Sequence, residues 1–162
     1  MCKYIFSAIL ALLFMMTLTP EASAQKSRPS VSGTEVTGTF RMSFQGKKYK
    51  GLSNDMLISA LGGGKLRVAF DLIYPFTLRN GEISVNMGQM EGIATIKGDT
   101  ATLASDEFGP CKITIKFVRP GEVKVTQDGS DADCGFGHNV FAGGSYRKVS
   151  GKKPNFEGNE GR

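Results

Sequence analysis

Hydrophobic and polar residues alternate most cleanly in "KLRVAFDLIYPFTLR", residues 65–79. Leu66, Val68, Phe70, Leu72, Tyr74, Phe76 and Leu78 share one parity, and Arg67, Asp71, Thr77 and Arg79 share the other. A period of two sends one set of side chains into a core and the other into water, which is the pattern of a β-strand. Asn80-Gly81 follows and suits a two-residue type I′ hairpin, because both residues tolerate positive φ. With that turn Leu78, Phe76 and Tyr74 face Ile83, Val85 and Met87, and every apolar pair lands on one face. Pro75 donates no ladder hydrogen bond and marks an edge, a bend or a bulge.

The same pattern recurs along the chain. "IATIK" and "TATLAS" flank a tight turn at Gly98-Asp99 that aligns Ala94 and Ile96 with Leu103 and Ala101. "DMLISAL", before Gly62-Gly63-Gly64, reads as a strand, although Ser53 or Asn54 is also suited to cap a short helix there. "EVTGTFRMSF" carries Val36, Phe40, Met42 and Phe44 on one parity and turns at Gln45-Gly46 into "KKYKG". In "CKITIKFVRPGEVKVTQDG" a two-residue loop sets Ile115 against Thr126, whereas a three-residue loop, Arg119 to Gly121, sets it against Val125. The second keeps the apolar residues together, with Cys111 opposite Gly129. The last strand, "HNVFAGGSYRKV", offers Val140, Ala142 and Tyr146 around a Gly143-Gly144 bulge. About nine short strands joined by tight turns, with no long helix, predict an all-β fold. The expected architecture is an antiparallel up-and-down meander closing into a small, lipocalin/calycin-like barrel with one disulfide, first strand meeting last. A β-sandwich is the alternative.

The ends of the chain have a different character. Lys3, the apolar run Tyr4 to Leu18, Pro20 and Ala22-Ser23-Ala24 read as a signal peptide over residues 1–24, cleaved before Gln25. The run is shorter than the roughly 20 apolar residues a membrane span needs, so no stable membrane insertion is expected. The product is then exported, periplasmic or secreted. Residues 25–34 read as a flexible lead-in, 35–150 as a single β-barrel domain and 151–162 as a disordered tail. Loss of the signal leaves Cys111 and Cys134, for which pairing is expected in an oxidising compartment. Neither belongs to a Cys-x-x-Cys pair, and a single histidine cannot complete a Cys/His zinc set.

The formal net charge is +5, and removing Lys3 and Glu21 with the signal leaves it unchanged. Its clusters, Lys47-Lys48-Lys50 and Lys152-Lys153, read as solvated faces. An exported chain does not call for nucleic acid, and an acidic polymer or acidic protein is the partner class that charge alone allows. His138 is the only histidine and so the only side chain with an unperturbed pKa near neutrality. No serine lies in a G-x-S-x-G setting, so no catalytic residue and no cofactor are expected. His138 and Tyr146 are candidates for partner contact. Asp128, Asp131 and Asp133 in "DGSDAD" are candidate ligands for a hard cation, but they depart from the EF-hand pattern and suit an Asx-rich turn equally well. Gly135 and Gly137 flank Phe136 in a way that lets its ring turn inward beside the disulfide. Phe40, Phe70, Tyr74, Phe76 and Phe117 are candidates to line a ligand cavity, unless the barrel is filled by its own side chains.

From "GDTATLASDEFGPCKITIKFVRP" through "VTQDG" to "CGFGHNVFAGGSY", the chain resembles a group of exported bacterial β-domains that share G-D-T-A, C-K-I-T-I-K-F-V-x-P-G and C-G-F-G-x-N-V-x-A-x-G-x-Y. The resemblance implies export and the disulfide and carries no activity with it. A looser similarity in size, β content and single bridge links the chain to periplasmic lysozyme inhibitors, although no stretch matches their loop motif. The expected function is a non-catalytic exported domain that binds a protein partner at a loop end or a small apolar ligand inside. The alternatives are an inhibitor of a cell-wall hydrolase such as lysozyme and a hydrolase built on His138.

Overall fold

A computed structural model describes residues 30–157 of the chain. The expected signal peptide, residues 1–24, and residues 25–29 and 158–162 lie outside the described residues. Eight antiparallel strands follow in chain order and close into a barrel: β1 (Gly38–Ser43), β2 (Ser53–Gly62), β3 (Lys65–Thr77), β4 (Ile83–Lys97), β5 (Thr100–Ser105), β6 (Cys111–Arg119), β7 (Glu122–Asp128) and β8 (Gly144–Ser150). The closing pair is β1 with β8, Arg41 opposite Arg147. The fold is the expected barrel and not a sandwich. It has fewer strands than the pattern suggests, because residues 83–97 form one continuous strand and Lys47–Tyr49 form a 3-10 turn.

Alternation decides what lies inside. Phe40, Met56, Ile58, Val68, Phe70, Ile113, Ile115, Phe117, Val123 and Tyr146 are at most 1% exposed and belong to one continuous core cluster. Phe40 and Phe117 meet edge to face, ring centres 6.4 Å apart. Every strand contributes to this cluster, so the barrel interior is occupied by the protein's own side chains. The β6–β7 hairpin takes the expected register, with Ile115 opposite Val125 and Phe117 opposite Val123, but not the expected three-residue loop: Arg119 pairs with Glu122, the turn is Pro120-Gly121, and the odd residue is absorbed by a bulge between Phe117 and Arg119. Lys97 and Thr100 flank a two-residue turn in which Gly98 alone has positive φ, aligning Ile96 with Ala101 as expected.

The β3–β4 hairpin departs from expectation. Thr77 pairs with Ile83, Pro75 with Val85 and Ile73 with Met87, one residue out of the register that a two-residue Asn80-Gly81 turn imposes. Leu78 N–H donates to the Glu82 carbonyl, so the loop holds three residues, and only Gly81 adopts positive φ. The cause lies inside the barrel, near the middle of the same ladder, which runs unbroken from Lys65–Thr95 to Thr77–Ile83. Within the barrel this register sets buried Phe70 opposite Met90; a one-residue slip would bring Glu91 in beside it. An unpaired buried carboxylate costs several kcal/mol, so the core sets the register and the turn adapts.

The described part of the lead-in, residues 30–34, runs into a first helical turn. Residues Gly33–Val36 form one helical turn (α1), capped by Ser32, whose hydroxyl accepts from the Glu35 N–H. Val36 is buried, and Lys148 Nζ donates to the carbonyls of Thr34 and Glu35 at 2.8 and 3.0 Å. The expectation of a free tail fails for residues 151–157. Phe156 is buried, with the Arg67 guanidinium 4.4 Å from its ring centre on the outer wall. An aromatic ring and an arginine face hold the segment there.

Candidate partner-binding end of the barrel

Connections 44–52, 78–82, 106–110 and 129–143 lie at one end of the barrel, because consecutive strands reverse direction. Two features of this end stand out, a projecting arm and a strapped lid.

The arm arises from unequal strand lengths. β2 pairs with β3 only as far as Asp71, and β4 pairs with β5 only over Thr95–Lys97. Residues 73–77 and 83–87 therefore pair with each other alone and project beyond the barrel wall. Asn54, itself buried, closes the junction by accepting the Ile73 N–H on its Oδ1 at 2.8 Å. Pro75 follows on that same outer edge, where its missing N–H costs no ladder bond. Because of the register, the arm's apolar residues divide between two faces. Tyr74, Phe76 and Leu78 share one with Ser84 and Asn86; Ile73 and Pro75 share the other with Val85 and Met87.

The lid is residues 129–143. Ser130 and Asp133 satisfy one another: the Ser130 hydroxyl accepts the Asp133 N–H, and the Asp133 carboxylate accepts the Ser130 N–H at 2.9 Å, the reciprocal geometry of a capping box. The Ser130 hydroxyl, donating to the carboxylate at 2.7 Å, and then the Ser130 N–H hold the Asp133 carboxyl below its usual range. Asp131 accepts N–H groups from Asn139 and Ala132, and these bonds lower its pKa in the same way. Cys134 is disulfide-bonded to Cys111, and Phe136, Val140 and Ala142 are buried beneath the segment. Gly137 N–H donates to the Met87 carbonyl at 2.9 Å, and Asn86 Nδ2 donates to the His138 carbonyl at 2.7 Å, tying lid to arm. The glycines of "CGFG" permit this closeness. A Cβ on Gly137 would lie 2.5 Å from the Met87 carbonyl oxygen, and one on Gly135, where φ is +70°, would meet the Phe108 ring.

The sequence-derived candidates scatter. Phe40, Phe70 and Phe117 are in the filled core. Tyr74 does not line the interior: it is 39% exposed on the arm, and Phe76 is half-buried beside it, because both lie past the point where β2 stops. Tyr146 cannot meet a partner, being fully buried with its hydroxyl donating to the Ala142 carbonyl at 2.9 Å. His138 is exposed, its Nδ1 3.8 Å from Asp131. The three aspartates serve separate partners, Asp128 pairing with Lys112 at 3.0 Å. Among the described residues no group of three or more His, Cys, Asp or Glu side chains is placed to hold a metal.

Sequence reading passed over the exposed apolar residues of this end: Leu78, Ile83, Val85 and Met87 on the arm, Phe108 beside the lid and Phe141 on it. One signal could have found part of this set. The apolar alternation of residues 66–78 outruns that of the neighbouring strand, and the excess must overhang. No protein-family model matches the chain, and comparison with curated proteins and with solved structures finds no match.

Proposed function

We propose that this protein is an exported, non-catalytic binding domain that engages a protein partner through the arm and lid. One observation carries the reading. Of the ten large hydrophobic side chains exposed among the described residues, seven belong to this end: Tyr74, Leu78, Ile83, Val85, Met87, Phe108 and Phe141. Scattered exposed apolar residues are ordinary, whereas a concentration of them marks an interaction surface. The filled interior favours a protein partner over a small ligand inside the barrel. Export is supported by the residues preceding Gln25 and by the Cys111–Cys134 bridge. An inhibitor of a cell-wall hydrolase is one form of this function, favoured by the tip residues Arg79-Asn80-Gly81 projecting ahead of the barrel.

The test places photo-crosslinking groups at Leu78, Met87 and Phe108, and at Leu61 and Val149, which are equally exposed at the opposite end. In the envelope of the producing cell the first set should give one discrete protein adduct, abolished by Met87→Asp, and the second set none. Equal labelling of both ends would overturn the proposal, as would native mass spectrometry showing a small molecule carried inside the purified protein. Titration with lysozyme, read by size-exclusion chromatography, examines the inhibitor form.

A further inference from the structure

The two long edges of the arm are not equivalent. In its ladder the even-numbered residues of β3 and β4 bond each other, as Leu78 and Glu82 do, so the odd-numbered residues turn their N–H and C=O groups outward. On the β3 edge this side is blunted, since the Ile73 N–H is taken by Asn54 and Pro75 has none to offer. On the β4 edge the Met87 carbonyl is taken by Gly137. Beyond it, toward the tip, Ile83 and Val85 present two N–H and two C=O groups with no strand beside them among the described residues. A strand edge left open beside exposed apolar side chains is a template for another strand.

We infer that the occupant is a second copy of this chain, the two β4 edges pairing antiparallel about a two-fold axis at Ser84. The inference rests on the reading that this end binds a protein and names that protein. The geometry is self-complementary. Centred on Ser84, Ile83 of each copy faces Val85 of the other, and each such pair exchanges two backbone hydrogen bonds, so all four open groups of Ile83 and Val85 are used. A centre at Val85 is barred, because Gly137 already occupies the place beside Met87. Glu82 then meets Asn86 of the other copy, so no like charges face each other across the seam. Antiparallel arms carry each tip toward the other copy's lid, which covers the exposed apolar residues of both. Pro75 and Asn54 blunt the remaining edge, so assembly closes at two copies and does not propagate. The net charge of +5 on each copy opposes approach only weakly at physiological salt, where it is screened beyond about 8 Å.

Sedimentation equilibrium of the exported, disulfide-bonded protein tests this. The expected mass is that of a dimer, falling to half in Val85→Pro, which removes an outward N–H and leaves the β3 ladder intact. Thr77→Pro, the matching change on the blunted edge, should leave the dimer, and near-UV circular dichroism should show both variants folded. Isotope-filtered NMR should detect contacts between Ile83 of one copy and Val85 of the other. A monomer at NMR concentrations, higher oligomers, or a dimer indifferent to Val85→Pro would each overturn the inference. A monomer that still gives the adducts at Leu78 and Met87 would sink the second copy alone and leave the binding function standing.

Discussion

Reducing the Cys111–Cys134 bridge should destabilise the protein by constraining its unfolded chain less, with little change in its native shape. The bridge spans a sequence separation of 23, and closing a loop of that length lowers the entropy of the unfolded ensemble by an amount worth roughly 3.4 kcal/mol at 25 °C. The lid does not depend on the bridge to stay closed. Gly137 bonds Met87, Asn86 bonds the His138 carbonyl, Gln127 accepts the Ala142 N–H at 2.8 Å, and Phe136, Val140 and Ala142 are buried. Loss of the crosslink should therefore act on the unfolded state. For a domain of this size it should lower the melting temperature by roughly 10–15 °C. Urea unfolding of the oxidised protein and of a Cys111→Ala/Cys134→Ala variant, read together with amide exchange, measures both quantities. A loss below about 1 kcal/mol would refute the entropic argument. So would lid amides that exchange freely in the native variant, because the bridge would then be holding the lid in place.

Two further outcomes follow from single contacts. Burial pushes the Tyr146 phenol well above its ordinary pKa. Folded Tyr146 therefore stays protonated while the unfolded chain ionises, and stability should be fully present below about pH 10 and fall by up to about 1.4 kcal/mol per pH unit above it. Tyr146→Phe should cost about 1–3 kcal/mol at pH 7 by leaving the Ala142 carbonyl unpaired and should remove one proton's worth of that slope; an unchanged slope in urea melts at pH 9 and 11 would contradict the assignment. Gly137→Ala forces a Cβ within 2.5 Å of the Met87 carbonyl oxygen, so a loss of about 1–3 kcal/mol is expected. Gly151→Ala, with nothing within 4 Å, serves as the neutral control, and equal melting of the two variants would show that lid and arm do not touch as described.

Much of the fold is legible in the sequence, because alternation is a local property with a global meaning. Leu66, Val68, Phe70 and Leu72 announce a buried face from their spacing, and in the β6–β7 hairpin the pairing of apolar residues alone selects the register that forms, although the turn closes over Pro120-Gly121 and a bulge takes up the odd residue. The unpaired choice of Cys111 and Cys134 left one disulfide to form, and it forms. The β3–β4 hairpin was misread for an equally physical reason. Its turn and its arm favour one pairing, while the stretch of the same ladder inside the barrel excludes it by the cost of burying Glu91, and a strand's own residues do not reveal which demand prevails. The excess length of the alternation in residues 66–78 signals an overhang, but where the neighbouring strand's pairing stops, at Asp71, is absent from the strand it borders, so neither the exposure of Tyr74 and Met87 nor the docking of Phe156 on Arg67 could be derived from periodicity. Spacing establishes which side chains seek burial; only the packed barrel determines how far its walls extend to bury them, because that depends on contacts between segments distant in the chain.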